Sequence, residues 1–355
     1  MRNRLLSYAY FVFALALAGC GETSGIFTKN QYENARYIIE LNGKVGFIDY
    51  EGQVVIEPQF DDAREFSEGM AAVKMNDRWG YIDLYGKIVV EPSFGMGTGE
   101  FKDGLAPARV VEGLHNWEGP MGFIDKDGSF EVPAGFEKVK RLSEGLAPVM
   151  DENGNWGAID RYGILKIPFA FEDMGEFSEG LAFAKKDGQY GFIDKKGEIE
   201  IPYQFKDASN FANGVAPVLI AYGEFDRWWA IIGKNGGIII EDGEIGNIPA
   251  NAPEINGGLI CILDPSTSRY GYMNSTGEWV ITPQFDWAYG FSEGLASVNK
   301  DGKWGFIDKK GQTVIGYRDF EEGSRFINGL AAISINGNWN NYINKKGEFV
   351  YRTKK

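Results

Sequence analysis

A chain of 355 residues has room for one large domain or two ordinary ones. Its 44% hydrophobic content is too high for disorder, its 48 glycines follow no collagen-like period, and its 25 Phe, 17 Tyr and 9 Trp favour strands joined by turns. The net charge of −14 argues against a nucleic-acid partner, which would need a basic patch, and suits a soluble surface that resists non-specific association.

The N-terminus carries Arg2 and Arg4, then an apolar run from Leu5 to Gly19 broken by one Ser. As a helix that run spans about 22 Å, less than the ~30 Å of a bilayer core, which makes it a signal sequence rather than a membrane span. It ends in Leu17-Ala18-Gly19-Cys20, which resembles the lipobox of bacterial lipoproteins. The resemblance implies diacylglycerol on the Cys20 sulfur, cleavage before Cys20 and acylation of the new amino group. Two or more acyl chains hold a protein at a membrane where one does so only reversibly. Residues 1–19 are therefore expected to be a signal peptide and 20–36 a lipid-anchored tether, leaving 37–355 as the folded domain. Residue 21 is Gly rather than the Asp that retains such proteins at an inner membrane, so the resemblance favours the outer membrane in a two-membrane organism. With Cys20 lipidated, Cys261 has no disulfide partner, and its place in the apolar run 258–263 predicts a buried structural thiol.

Beyond residue 36 the chain repeats itself. The block Gly46-Phe-Ile-Asp49 returns as Gly80-Tyr-Ile-Asp83, Gly122-Phe-Ile-Asp125, Gly191-Phe-Ile-Asp194 and Gly305-Phe-Ile-Asp308. Variants begin at Gly157 and Gly271, and degenerate copies at Ala230 and Asn341. These nine anchors lie 34 to 42 residues apart. A second block reads Phe66-Ser-Glu-Gly-Met-Ala71, Phe177-Ser-Glu-Gly-Leu-Ala182 and Phe291-Ser-Glu-Gly-Leu-Ala296. Together with Trp79-Gly80, Trp156-Gly157 and Trp304-Gly305, the unit resembles the WG-repeat (KWG-repeat) family over about 320 residues. The family implies interaction modules rather than one chemistry.

Within each unit, Lys303-Trp-Gly-Phe-Ile-Asp308 alternates as a half-buried strand does. The Asp-x-x-Gly that follows predicts a hairpin, with the Asp accepting from turn amides and the Gly at positive φ. A second strand such as Val54-Val-Ile56 precedes a proline (Pro58, Pro92, Pro133, Pro168, Pro202, Pro283) that is expected to end it, and the next aromatic should plug the core between units. The Gly-Leu-Ala-x-Val segment forms a third strand, its alanines marking close approach of a neighbour. One such unit cannot bury both faces of its sheet, whereas nine stacked units can. The expectation is an all-β tandem array of about nine small antiparallel units, open or superhelical, with a closed β-propeller as the alternative.

Departures from the repeat are where function can be sought. An insertion at 110–120 carries His115, the single histidine, beside Trp117. A second departure gathers Tyr222, Phe225, Arg227, Trp228 and Trp229, followed by a Gly/Asn/Pro-rich connection from Gly243 to Gly258. Both read as surface binding elements or, more blandly, as a tolerated insertion and a degenerate unit whose Trp residues pack the core. No zinc, Walker, dinucleotide or Ser-His-Asp arrangement is present, and the acidic residues recur at fixed repeat positions, as a structural rather than a catalytic residue would. No cofactor, no metal and no enzymatic activity are expected. The function expected is a monomeric, lipid-anchored envelope module that binds or scaffolds a protein, peptide or glycan. The alternatives are a structural spacer or assembly factor without a dedicated ligand and, last, a glycan-acting hydrolase.

Overall fold

The computed structural model describes residues 32–353 except 114, 116, 223–225, 241–257, 265 and 319; of residues 222 and 226–228 it describes the backbone alone. Cys20 and the 243–258 connection, apart from Gly258, lie outside the described residues. All regular structure is antiparallel β, in nine sheets of three or four sequential strands and with no α-helix among the described residues. The sheets form a ring, a nine-bladed β-propeller. Blades 1 to 9 span residues 37–60, 62–94, 106–136, 138–171, 173–205, 207–240, 260–285, 287–318 and 322–352.

Blade 2 shows why the unit folds this way. Its middle strands, Met70–Met75 and Arg78–Asp83, are buried on both faces over four consecutive residues, because a blade packs against each side. Ala71, Val73 and Ile82 join Val45, Phe47, Ile56 and Phe60 of blade 1. Met70, Ala72, Trp79 and Tyr81 turn the other way, toward Phe101, Ala106 and Ile124 around blade 3. The alanines do admit a close neighbour, and the post-proline aromatic is a core plug, with Phe60 and Phe285 each 1% exposed.

The Asp-x-x-Gly hairpin behaves as its composition requires. Asp83 Oδ1 accepts from the amides of Tyr85 (2.9 Å) and Lys87 (3.0 Å), and the Gly86 amide donates to Asp83 O at 3.0 Å. The turn glycine has a second duty. A Cβ on Gly86 would meet Ile56 Cγ2 of blade 1 at 3.1 Å, and one on Gly128 would meet Val90 Cγ1 of blade 2 at 2.7 Å. Each hairpin tip thus rests on an aliphatic residue of the preceding blade.

The prolines differ from the expectation. They lie inside their strands, as Pro92 does in Ile88–Phe94, at a bulge. Trp79 pairs with Phe94 but Tyr81 with Val90, so the segment between bulges over Gly80. A Cβ on Gly80 would lie 2.4 Å from Val90 O. The Gly of the Trp-Gly pair is therefore the space into which the bulge folds, and proline suits a position with no ladder bond to donate.

The Ser-Glu-Gly turn locks neighbours together. Ser67 and Met70 exchange backbone hydrogen bonds of 2.9 and 3.0 Å around Glu68 (φ +52°) and Gly69 (φ +83°), a two-residue turn with both central residues left-handed. A left-handed Glu costs about 1–2 kcal/mol. Its carboxylate offsets that by accepting the Gly104 amide of the next blade's turn at 3.0 Å, while Ser67 Oγ donates to Phe101 O at 2.6 Å. The same latch recurs with Glu144 on Gly180, Glu179 on Gly214 and Glu293 on Gly329, each reinforced by a lysine: Lys195, Lys234 and Lys345.

The ring is closed, the alternative rather than the open arrangement. Tyr32, Ala35, Tyr37, Ile39 and Ile48 form one apolar cluster with Leu330, against which Tyr342, Val350 and Tyr351 of blade 9 pack. Tyr342 Oη donates to Ile38 O at 2.6 Å, Asn340 Oδ1 accepts the Glu40 amide at 2.9 Å, and Asn340 Nδ2 donates to Glu40 O at 2.8 Å. Gly52 of blade 1 meets Val350 of blade 9 as the other turn glycines meet their predecessors. Residues 32–36, assigned to the tether from the sequence, accordingly belong to the folded body. Cys261 is buried with its Sγ 3.4 Å from Ala288 O, and burial pushes the thiol up to about 12.

Two predictions test these roles. Gly128→Ala should destabilise the fold by about 2–4 kcal/mol, since it adds a left-handed alanine and overpacks Val90. Gly188→Ala, with similar φ but open space, should cost about 1 kcal/mol in the same denaturant titration. Burial pushes the Glu144 carboxyl up, but hydrogen bonds from Lys195 and from the Gly180 amide outweigh it and hold it below its ordinary 4.5. A depressed folded pKa contributes stability above the unfolded value and loses it as pH falls through the folded one. The stability gap between the parent and Glu144→Gln should therefore narrow as the pH of the titration drops below 4.5.

Candidate functional site

The name-giving tryptophans are structural. Trp79, Trp156 and Trp304 are buried, each capped by a residue that follows the short first strand of its own blade. Arg64 sits 5.2 Å from the Trp79 ring, Lys140 4.8 Å from that of Trp156, and Tyr289 stacks 5.8 Å from that of Trp304. Residues that recur in the repeat are thus engaged with the ring itself, and the once-only features remain.

The insertion of blade 3 is the first of these. In blades 1, 2, 5 and 8 two residues join these strands, as Asn76 and Asp77 do, and in blades 4, 6, 7 and 9 three to six do; here Arg109 and Met121 are bridged by the eleven residues 110–120. The Val110 amide donates to Pro120 O at 2.9 Å and closes the base of the loop. Arg109 pins it: Nε donates to Met96 O at 2.8 Å, Nη1 to Gly119 O at 2.6 Å and Nη2 to Glu137 O at 3.3 Å. One side chain ties together the preceding segment, the insertion and the residue that leads into blade 4. His115 and Trp117 stack at 4.2 Å with their planes 5° apart, and Trp117 is still 54% exposed.

Trp117 lines a groove of about 490 Å³ between blades 3 and 4. Its other side-chain walls include Met96, Arg109, Met121, Lys138, Lys140 and Trp156. Lys140 is held by Asp173 Oδ1 at 3.3 Å and Met174 O at 2.6 Å, with the Trp156 and Phe183 rings beneath it. Lys138 is exposed. Its volume lies within the range of ligand pockets, and its lining mixes thioether, indole and a few charges.

The second candidate group lies in blade 6. Its middle strands, Val215–Tyr222 and Asp226–Gly233, pair Tyr222 with Asp226, Ala221 with Arg227, Ile220 with Trp228 and Leu219 with Trp229. The backbone therefore brings Tyr222, Arg227, Trp228 and Trp229 onto one hairpin, three blades from His115 and Trp117. The Trp229 side chain packs against the core between blades 6 and 7, around Val215, Ile231 and Ile260, which gives it a structural role. The side chains of Tyr222, Arg227 and Trp228 lie outside the described residues.

Sequence reasoning missed Met96, Arg109, Met121, Lys138, Lys140 and Trp156. One signal was available: Phe94 and Phe101 are seven positions apart where Phe60 and Phe66 are six, and the extra residue lies beside Met96. Among the described residues no group of three His, Cys, Asp or Glu side chains is placed to hold a metal ion.

Seven stretches, residues 46–79, 79–113, 121–156, 156–190, 190–221, 270–304 and 304–339, match the WG-containing repeat, and the chain belongs to that family. No curated protein matches it. Among solved structures it is similar to a eukaryotic initiation factor, at 10% identity over 89% of this chain and 94% of that one, with a TM-score of 0.56. It is also similar to the computationally designed Ika8 protein (13% identity, 81% and 93% covered, TM-score 0.48) and to BamB from Moraxella catarrhalis (12% identity, 78% and 94% covered, TM-score 0.42). At such identities the likeness concerns the fold alone. The repeat and the propeller together suggest a protein-binding or scaffolding module.

The two kinds of tryptophan predict different mutants. Trp117→Ala should change stability by no more than about 0.5 kcal/mol, as a surface substitution does. Trp304→Ala should cost about 3–5 kcal/mol by emptying the core between blades 8 and 9, both read by denaturant titration.

Proposed function

We propose that this protein is a binding module held at the bacterial cell envelope by lipid on Cys20, and that it engages a partner through the groove between blades 3 and 4. One observation carries the reading. The polar residues that repeat are bonded within and between blades, whereas this groove is lined in part by the long insertion of blade 3 and presents an exposed indole beside thioethers and cations. A pure spacer has no use for such a feature. The lipobox-like end of the N-terminal apolar run supports the anchor, and Gly21 favours the outer membrane where there are two.

Site-specific photo-crosslinking in intact cells tests the reading. A benzophenone side chain at position 117 should give a discrete adduct, and one at the exposed Ile199 of blade 5 should not. Absence of any adduct at 117 would remove the groove as a docking site. In the same strain, growth with labelled palmitate should label the parent protein and leave Cys20→Ser unlabelled; a parent that takes up no label would refute the lipid anchor.

A further inference from the structure

The chemistry of the groove selects a class of ligand. Its lining holds three cations, Arg109, Lys138 and Lys140, and no carboxylate, in a chain whose net charge is −14. Lys140 is already neutralised by Asp173. Arg109 is bonded to three backbone carbonyls and, among the described residues, neither it nor Lys138 forms an ion pair. Two of the five guanidinium N–H groups of Arg109 are not used by those bonds. Burial pushes the Arg109 guanidinium down, with the nearby Glu137 opposing, as expected of a positive charge lacking a bonded counter-ion. Beside these charges lie Met96 and Trp117, each more than half exposed, with Met121 and Val139.

A sugar is a poor match for this lining. Sugar hydroxyls both donate and accept, and the lining side chains include no amide, carboxylate or hydroxyl to accept from them. A carboxylate needs donors and positive charge, and an aliphatic or aromatic side chain needs the indole and thioethers. We propose that the groove binds an acidic peptide segment of a partner protein, with a carboxylate on Lys138 and the unused N–H groups of Arg109 and an adjacent apolar side chain against Trp117, Met96 and Met121. This inference rests on the reading of the groove as a docking site and names what docks there.

Labelled decapeptides in which Leu and Gly alternate with Glu, Gln or Lys test it by fluorescence anisotropy against the full chain. The Glu peptide should bind at least about tenfold more tightly than the Gln peptide, about 1.4 kcal/mol for one charged contact, and the Lys peptide should not compete. Lys138→Glu should weaken the Glu peptide by about tenfold or more with an unchanged melting temperature, because Lys138 is exposed. Trp117→Ala should erase the advantage of Leu over a Gly-only Glu peptide. Equal binding of the three peptides, or undiminished binding to Lys138→Glu, would overturn the assignment. So would displacement of the Glu peptide by oligogalacturonate at lower concentration, which would give the groove to an acidic glycan. An adduct at position 117 in cells without peptide discrimination would overturn this inference while leaving the docking site standing.

Discussion

The structure depends on the apolar contact between one blade and the next. A sheet of three or four short strands has two faces to bury and no core of its own, so it is stable only between neighbours. Nine apolar clusters are found among the described residues, and each draws on residues from two successive blades. The contact is head to tail, with different surfaces meeting at each junction, and such an interface either runs on as an open filament or closes into a ring. Here it closes, because blade 9 offers blade 1 the same kind of surface that every other blade offers its successor.

That constraint explains which residues repeat. The turn Asp satisfies its own hairpin, the turn Gly makes room for the previous blade, and the Gly after Trp makes room for the bulge. The Ser-Glu pair reaches forward to the next blade. None of these is free for a ligand. The blade 3 insertion is different: Arg109 binds it to two neighbouring segments, and its exposed indole lines a groove that belongs to two blades at once. An insertion in a surface loop has little entropic cost, so the ring tolerates it without loss of closure.

Much of the unit was legible because its signals are local. Asp83 and Gly86 announce their hairpin, and Ala71 and Ala72 announce a close neighbour. Pro92 misled because a proline at a bulge and a proline at a strand end leave the same trace in sequence; the pairing of Trp79 with Phe94 separates them. Closure was hidden because one unit is divided between the ends of the domain. The degenerate copy at Asn341 supplies the Asn341–Asn344 and Phe349–Arg352 strands, and the segment that would follow is provided by Tyr37–Leu41, some 300 residues earlier. The groove was half legible: Trp117 and His115 stand out as an insertion, but Arg109, Lys138 and Lys140 occupy ordinary repeat positions and converge only when two blades meet.

Closure is tested most directly by native-state hydrogen exchange on Asn340→Ala. Asn340 bonds both backbone groups of Glu40 across 300 residues of sequence. In a closed ring the Tyr37–Leu41 strand, the Glu40 amide first, should lose protection although the substitution lies at the far end of the chain. Loss confined to residues 330–352, with Tyr37–Leu41 unchanged, would contradict closure and return the molecule to an open array.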